Sequence, residues 1–262
     1  MPLSFVLSNF KTHLIFIAMK DLLIFLMICF FVFSNAFAQK QDEGVITYEV
    51  KINMHRRLPA EQAELKSMLP EFQVFKTQLF FKPNASFYTV LDEDTEEDMS
   101  GEGVKVMLAR PQQEVYLDFA LEKKTELREL MGKRFLIEDT LKAPSWKIKD
   151  ETKTIRGLLC RKATLENGDN PENRQYITAW YAENVPVSIG PEGFHSLPGA
   201  ILEVDMNEGE RIITALDIAY RPLKENELKM PSGGKSVTEA EFRKVVDEFI
   251  KQNPGRMKII RN

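Results

Sequence analysis

The chain is poor in the residues from which most metal sites and nucleophilic enzymes are built. Two cysteines and three histidines are spread through 262 residues, too sparse for the short-spaced ligands of a zinc site. No serine sits in a G-x-S-x-G elbow, and no glycine-rich phosphate loop precedes a helical pattern. A strong charge of one sign is also lacking. The 35 basic and 39 acidic residues leave −4, with no basic footprint for nucleic acid and no polybasic patch for an anionic lipid surface. The apolar run from Leu22 to Phe33 is too short to span a bilayer as a helix, which takes about 20 residues.

That run reads as part of an address. Lys20 precedes it, and Ser34-Asn35-Ala36-Phe37-Ala38 follows, with alanines at the two positions where a signal peptidase accepts only small side chains. Residues 1–38 are therefore expected to be a secretory signal cleaved after Ala38. The stretch ahead of Met19 is long for a signal, so Met19 rather than Met1 is the expected start. A retained anchor would have to join the run to the patch from Leu14 to Ala18 across Lys20 and Asp21, which buries charge. Cys29 lies inside the run without a lipobox and leaves with the signal. Cleavage removes Lys11, Lys20 and Asp21, so 35 and 39 become 33 basic and 38 acidic residues, a net charge of −5. Cys160 is then the remaining cysteine, no intramolecular disulfide can form, and stability must come from a packed core.

After the signal the pattern is that of strands. Ile46, Tyr48, Val50, Ile52 and Met54 alternate with polar neighbours, a half-buried antiparallel strand. Helix formers between Pro59 and Pro70 predict a short surface helix. Val74 to Phe81 and Phe87 to Leu91 flank Pro83-Asn84-Ala85 as a hairpin. The acidic stretch from Asp92 to Asp98 lacks the glycine and the final glutamate of a calcium loop and reads as a solvated loop. Strands are expected at Val104 to Leu108, Glu114 to Phe119, Thr125 to Leu130 and Lys133 to Glu138. Trp146 to Ile148, Leu158 to Leu165 and Arg174 to Tyr181 follow. A Pro- and Gly-rich loop from Asn184 to Gly199 precedes a hairpin of Ile201 to Met206 and Arg211 to Tyr220, turned at Asn207-Glu208-Gly209. Thr238 with Glu241 three residues on is a capping box, and the helix it starts carries Phe242, Val245, Val246 and Phe249 on one side.

At least nine strands and two helices predict a mainly β fold. The expected form is a large curved antiparallel sheet or open half barrel whose helices cover or plug the concave side; a β-sandwich is the alternative. The expected division is a signal over 1–38, a β-rich domain over 39–230, and a linker with a packed C-terminal helix over 231–262.

One segment has a specific likeness. Trp146 is followed by Gly157-Leu158-Leu159-Cys160-Arg161-Lys162-Ala163, then Ala179-Trp180-Tyr181, then Val185-Pro186-Val187-Ser188-Ile189-Gly190-Pro191. Phe194 and Ser196-Leu197-Pro198-Gly199-Ala200-Ile201 come next, leading into Leu202-Glu203-Val204. In this order these motifs resemble the GLPGLI family of secreted or periplasmic proteins of Gram-negative bacteria. The six-residue signature departs at its first and fifth positions, where glycine and leucine are usual. The resemblance covers about a quarter of the chain and implies an envelope location and no assigned activity. If the first position needs positive φ, Ser196 bears a cost that glycine would not. Pro198-Gly199 is expected to form a type II turn.

Catalytic candidates do not accumulate. Cys160 would need His55 or His195 as a base and reads instead as a small residue packed in a sheet. Trp180 and Tyr181 point to opposite faces of a strand, one into the core and the other, with Phe194, toward an aromatic site near the signature loop. His195, Leu197, Pro198 and Gly199 complete the candidate binding set. No catalytic residue, metal or cofactor is expected. The expectation is a non-enzymatic envelope protein that binds an apolar ligand in its concavity or an outer-membrane partner by its loops. An accessory subunit of a surface complex and a hydrolase with scattered acids are the alternatives.

Overall fold

The computed structural model describes residues 42–58, 64, 66–91, 112–130, 132–167 and 174–252. The signal and its cleavage site, the acidic stretch from Asp92 to Asp98 and the strand expected at Val104 to Leu108 lie outside the described residues, as does much of the helix expected before Pro70.

Alternating burial builds the first strand, β1 (Gly44–Asn53), whose Ile46, Tyr48, Val50 and Ile52 are buried on one face. It ends one residue earlier than its pattern suggests. The Asn53 side chain accepts a hydrogen bond from the Arg56 amide and caps a single helical turn, α1 (Met54–Arg57). There follow β2 (Phe72–Lys82), β3 (Ala85–Val90), β4 (Gln113–Asp118), β5 (Lys123–Leu130) and β6 (Lys133–Thr140). The second run comprises β7 (Lys147–Ile155), β8 (Leu158–Asn167), β9 (Gln175–Ala182), β10 (Ala200–Met206) and β11 (Arg211–Tyr220). A short β12 (Lys235–Val237) and α2 (Glu239–Gln252) close the described chain.

These strands make one sheet of 12, in the order β12-β6-β5-β4-β3-β2-β1-β11-β10-β9-β8-β7. A single sheet replaces the alternative of a sandwich. Every neighbouring pair is antiparallel except β12 with β6. β1 sits at the centre, with β2 on one side and β11 on the other.

The sheet is strongly curled, and the connection from β6 to β7 demonstrates it. These strands stand ten places apart, which in a flat sheet is about 48 Å. The chain crosses from Thr140 to Lys147 in a span of at most about 25 Å. The two ends of the sheet must therefore approach each other, with a seam between β7 and the β6–β12 pair that no backbone ladder closes among the described residues. The half-barrel expectation holds.

The helix α2 covers one end of the concave side, as expected, because Arg128, Phe135 and Ile137 beneath it share a face with Val115 and Leu117 through the β4–β5–β6 ladders. α2 starts at the predicted capping box, in which the Thr238 amide donates to Glu241 Oε2 at 2.8 Å and the Glu241 amide to Thr238 Oγ1 at 3.2 Å. Its Phe242 packs edge-on to Phe135 at 5.4 Å, in a small cluster with Ile137 and Val237 at the β6 end. The rest of the interior is filled by the loop between β9 and β10. Its Val185, Ile189 and Leu197 join the main core with Tyr48, Leu79, Tyr88, Val115, Leu117, Val204 and Ile213. On the other face, Val45, Phe80 and Phe87 are covered by Leu223 and Leu228 from the strap after β11. Arg221 clips that strap to Glu227 through two hydrogen bonds of 2.7 Å.

Candidate functional site

The loop from 183 to 199, which carries the signature motif, is built as a folded plug. Ala200 N–H donates to Val185 O at 3.0 Å, Ile201 N–H to Ile189 O at 2.8 Å, and Ser188 Oγ to Leu197 O at 2.8 Å. These bonds satisfy backbone groups that burial would otherwise leave without partners. Its tip, Pro191–Gly193, turns at Glu192 with φ 54° and Gly193 with φ 81°. Gly193 lies on the inward side chains of Val115, Leu117 and Lys124.

The signature itself differs from a type II turn. Gly199 N–H donates back to Leu197 O at 2.8 Å, a three-residue γ-turn with Pro198 at its centre. Gly199 is required by close approach, because a Cβ there would stand 2.1 Å from Ala182 O. Ser196 has φ 69°. The first signature position thus does adopt the left-handed conformation that favours glycine.

Two strands eight places apart in the curled sheet, β4 and β7, are brought together around His195. Its ring lies 6.1 Å from that of Phe119, just after β4, and its carbonyl accepts Trp146 Nε1–H at 2.8 Å, just before β7. Trp146 in turn packs on Phe194 with ring centroids 5.9 Å apart. Leu141 N–H donates to Glu122 O at 2.7 Å, which brings the β6–β7 connection beside the β4–β5 turn. The result is an apolar rim of the half-buried Phe119, Leu141, Trp146 and Phe194; Leu121, in the same turn as Glu122, is 73% exposed. Pro198 is exposed on the signature turn.

The candidate residues are distributed as follows. Tyr181 and Leu197 are core, and His195 is 7% exposed with its Nδ1 2.9 Å from Gly193 O. Burial, with the nearby Lys124 ammonium, lowers the His195 pKa. Phe194 finds its ring partner in Trp146 rather than in Trp180. Trp180 lies across β9 from Tyr181, half-buried beneath the Lys153 ammonium at 4.4 Å, and Lys153 is itself paired with Glu203. Cys160 is fully buried, and burial raises its thiol pKa, as suits an inert packing residue.

Two groups of buried charge were not anticipated. Glu192, at the loop tip, forms an ion pair with Arg211 at the start of β11, their side chains 9% and 8% exposed. The buried Tyr88 hydroxyl lies beside this pair, and its pKa is raised by burial first and by Glu192 second. Glu126 on β5 is fully buried between Arg128 and Lys124, the latter at 2.7 Å. Burial pushes its carboxyl up, but Arg128 and Lys124 outweigh this and hold it at about 2. Among the described residues no group of three or more His, Cys, Asp or Glu is placed to hold a metal ion, and no helix is long and apolar enough to cross a membrane.

A family model described as a protein of unknown function, Porph_ging, matches residues 166–203. That stretch runs from the end of β8 through β9 and the whole plug into β10. No curated protein matches the chain. Among solved structures, two crystal forms of PNGF-II align at 12% identity and a TM-score of 0.51, over 78% of this chain and 32% of that one. This is a likeness of fold, and the chain spans about a third of that protein's length. A putative outer membrane lipoprotein-sorting protein domain from Vibrio parahaemolyticus aligns over 74% of this chain and 92% of that one, at 9% identity and a TM-score of 0.31.

Proposed function

We propose that this chain acts in the cell envelope, periplasmic or secreted, as a non-enzymatic binding protein of the GLPGLI type that engages a protein partner through the rim around its signature loop. The observation that carries the reading is the apolar rim itself. Phe119, Leu141, Trp146 and Phe194 come from three separate connections and converge at one mouth, where apolar side chains half open to water suit a contact surface. The envelope location rests on the targeting pattern of residues 1–38 and on the family resemblance.

The buried acids favour binding over catalysis. A general acid needs a raised carboxyl pKa, whereas Glu126 is held at about 2 and Glu192 is engaged by Arg211. A hydrolase reading gains nothing from this arrangement. Carriage of an apolar ligand is the second reading, favoured by the curled sheet, but the plug occupies the concavity and would have to leave before a ligand entered.

A photo-crosslinking residue at Pro198, with a control at the exposed Val74 toward the opposite end of the strands, tests the reading in the native envelope. A discrete adduct from position 198 and none from 74 is expected. Equal labelling from both, or from neither, refutes rim binding. A bound apolar mass retained in native mass spectrometry and lost on denaturation would replace it with the carrier reading.

A further inference from the structure

We propose that His195 is a pH-sensitive keystone, whose protonation loosens the plug and opens the mouth of the curled sheet. The inference does not depend on what the rim binds. His195 joins two strands that stand eight places apart in the sheet, its ring 6.1 Å from that of Phe119 just after β4 and its backbone carbonyl accepting the Trp146 indole N–H at 2.8 Å just before β7. It also forms the bridge with Ile189 that folds the plug on itself. A change at this residue therefore reaches three connections at once.

The surroundings favour a neutral ring. The Gly193 carbonyl, 2.9 Å from Nδ1, by itself favours the protonated ring, but burial outweighs this, with the ring packed against Phe119. The charged neighbour that acts on it is Lys124 of β5, whose ammonium is tied to Glu126. The carboxylate of the same plug, Glu192, is engaged by Arg211 of β11, and Arg128 of β5 by Glu126. Among the described residues no carboxylate acts on the ring, and Lys124 is the one charged group that does. A proton taken up by His195 thus places a second positive charge beside Lys124 at a buried junction, and the tie is relaxed by letting the ring move toward water.

The test follows amide exchange across residues 185–199 in the full chain between pH 7.5 and 5, corrected for intrinsic rates, alongside the NMR titration of the His195 imidazole. At least a tenfold acceleration is expected, with a midpoint that coincides with the His195 titration, and His195→Gln should abolish the step. An absent step, a midpoint apart from that of His195, or a step that persists in His195→Gln overturns the proposal. The comparison of midpoints needs only the unmodified chain, so it decides the matter even if the variant fails to fold.

Discussion

Replacing Arg211 by methionine should be among the most damaging single changes at the interior. The guanidinium and the Glu192 carboxylate are each more than nine-tenths buried in side-chain terms. Removing one partner leaves the other charge uncompensated, at a cost of about 3–5 kcal/mol. For a folded unit of this size each kcal/mol moves Tm by about 2–4 °C, so a fall of about 6–20 °C is expected from Arg211→Met. Glu192→Leu should cost a similar amount for the converse reason. The informative variant is the double one, in which neither charge remains. Much of the loss was desolvation of an orphan, so Glu192→Leu with Arg211→Met should be more stable than either single change. Urea unfolding followed by circular dichroism gives the cycle. Single losses below about 1 kcal/mol, or a double loss equal to the sum of the singles, would refute burial of the pair as the dominant effect.

Ser196→Gly should stabilise the chain by about 1 kcal/mol, because φ 69° carries a steric cost for serine that glycine lacks; a lower Tm in calorimetry counts against it. Gly199→Ala should destabilise by about 1–3 kcal/mol or more through the clash with Ala182 O, and an unchanged Tm would show that the γ-turn is misplaced. Glu126 has a folded carboxyl at about 2 against an ordinary 4.5. Its stabilising contribution is therefore present above the ordinary value and is lost as pH falls from there toward about 2. Glu126→Gln should lower stability at pH 7 and flatten that acid limb, and equal acid slopes in the two proteins would refute the assignment.

Much of the sheet was legible because burial on one face leaves a two-residue period, as in Ile46, Tyr48, Val50 and Ile52 of β1. β7 was read only at its first residues. KIKDETKTI is an edge strand exposed almost throughout, so charge replaces the apolar alternation, a composition that also guards an open edge. β12 has three residues, below what any pattern can reveal. At Met54 the apolar period ran on past the strand, and the Asn53 cap was the signal that could have stopped it. The site was harder. Loop length and aromatic content pointed to the segment around Phe194 and His195, but nothing local shows that such a loop folds inward. Glu192 is one acid among 39, and its partner lies across the interior in a different hairpin. Phe119 and Leu141 gain meaning only once the sheet curls, and the short β6–β7 connection was the one clue to that, readable only with the strand order in hand.

The central place of β1 has a consequence for how the molecule assembles. β1 to β6 form one run of neighbours along the chain and β7 to β11 another, so each half can zip by local steps. The halves are joined where Gly44 meets Tyr220 and Ile52 meets Arg211, a contact of very long sequence separation and correspondingly high loop-closure cost. Chain synthesis delivers β1 early, and its second edge must wait for almost the whole polypeptide. Until β11 arrives, that edge is an unpaired apolar strand, the segment from which aggregation during export or refolding is expected to start.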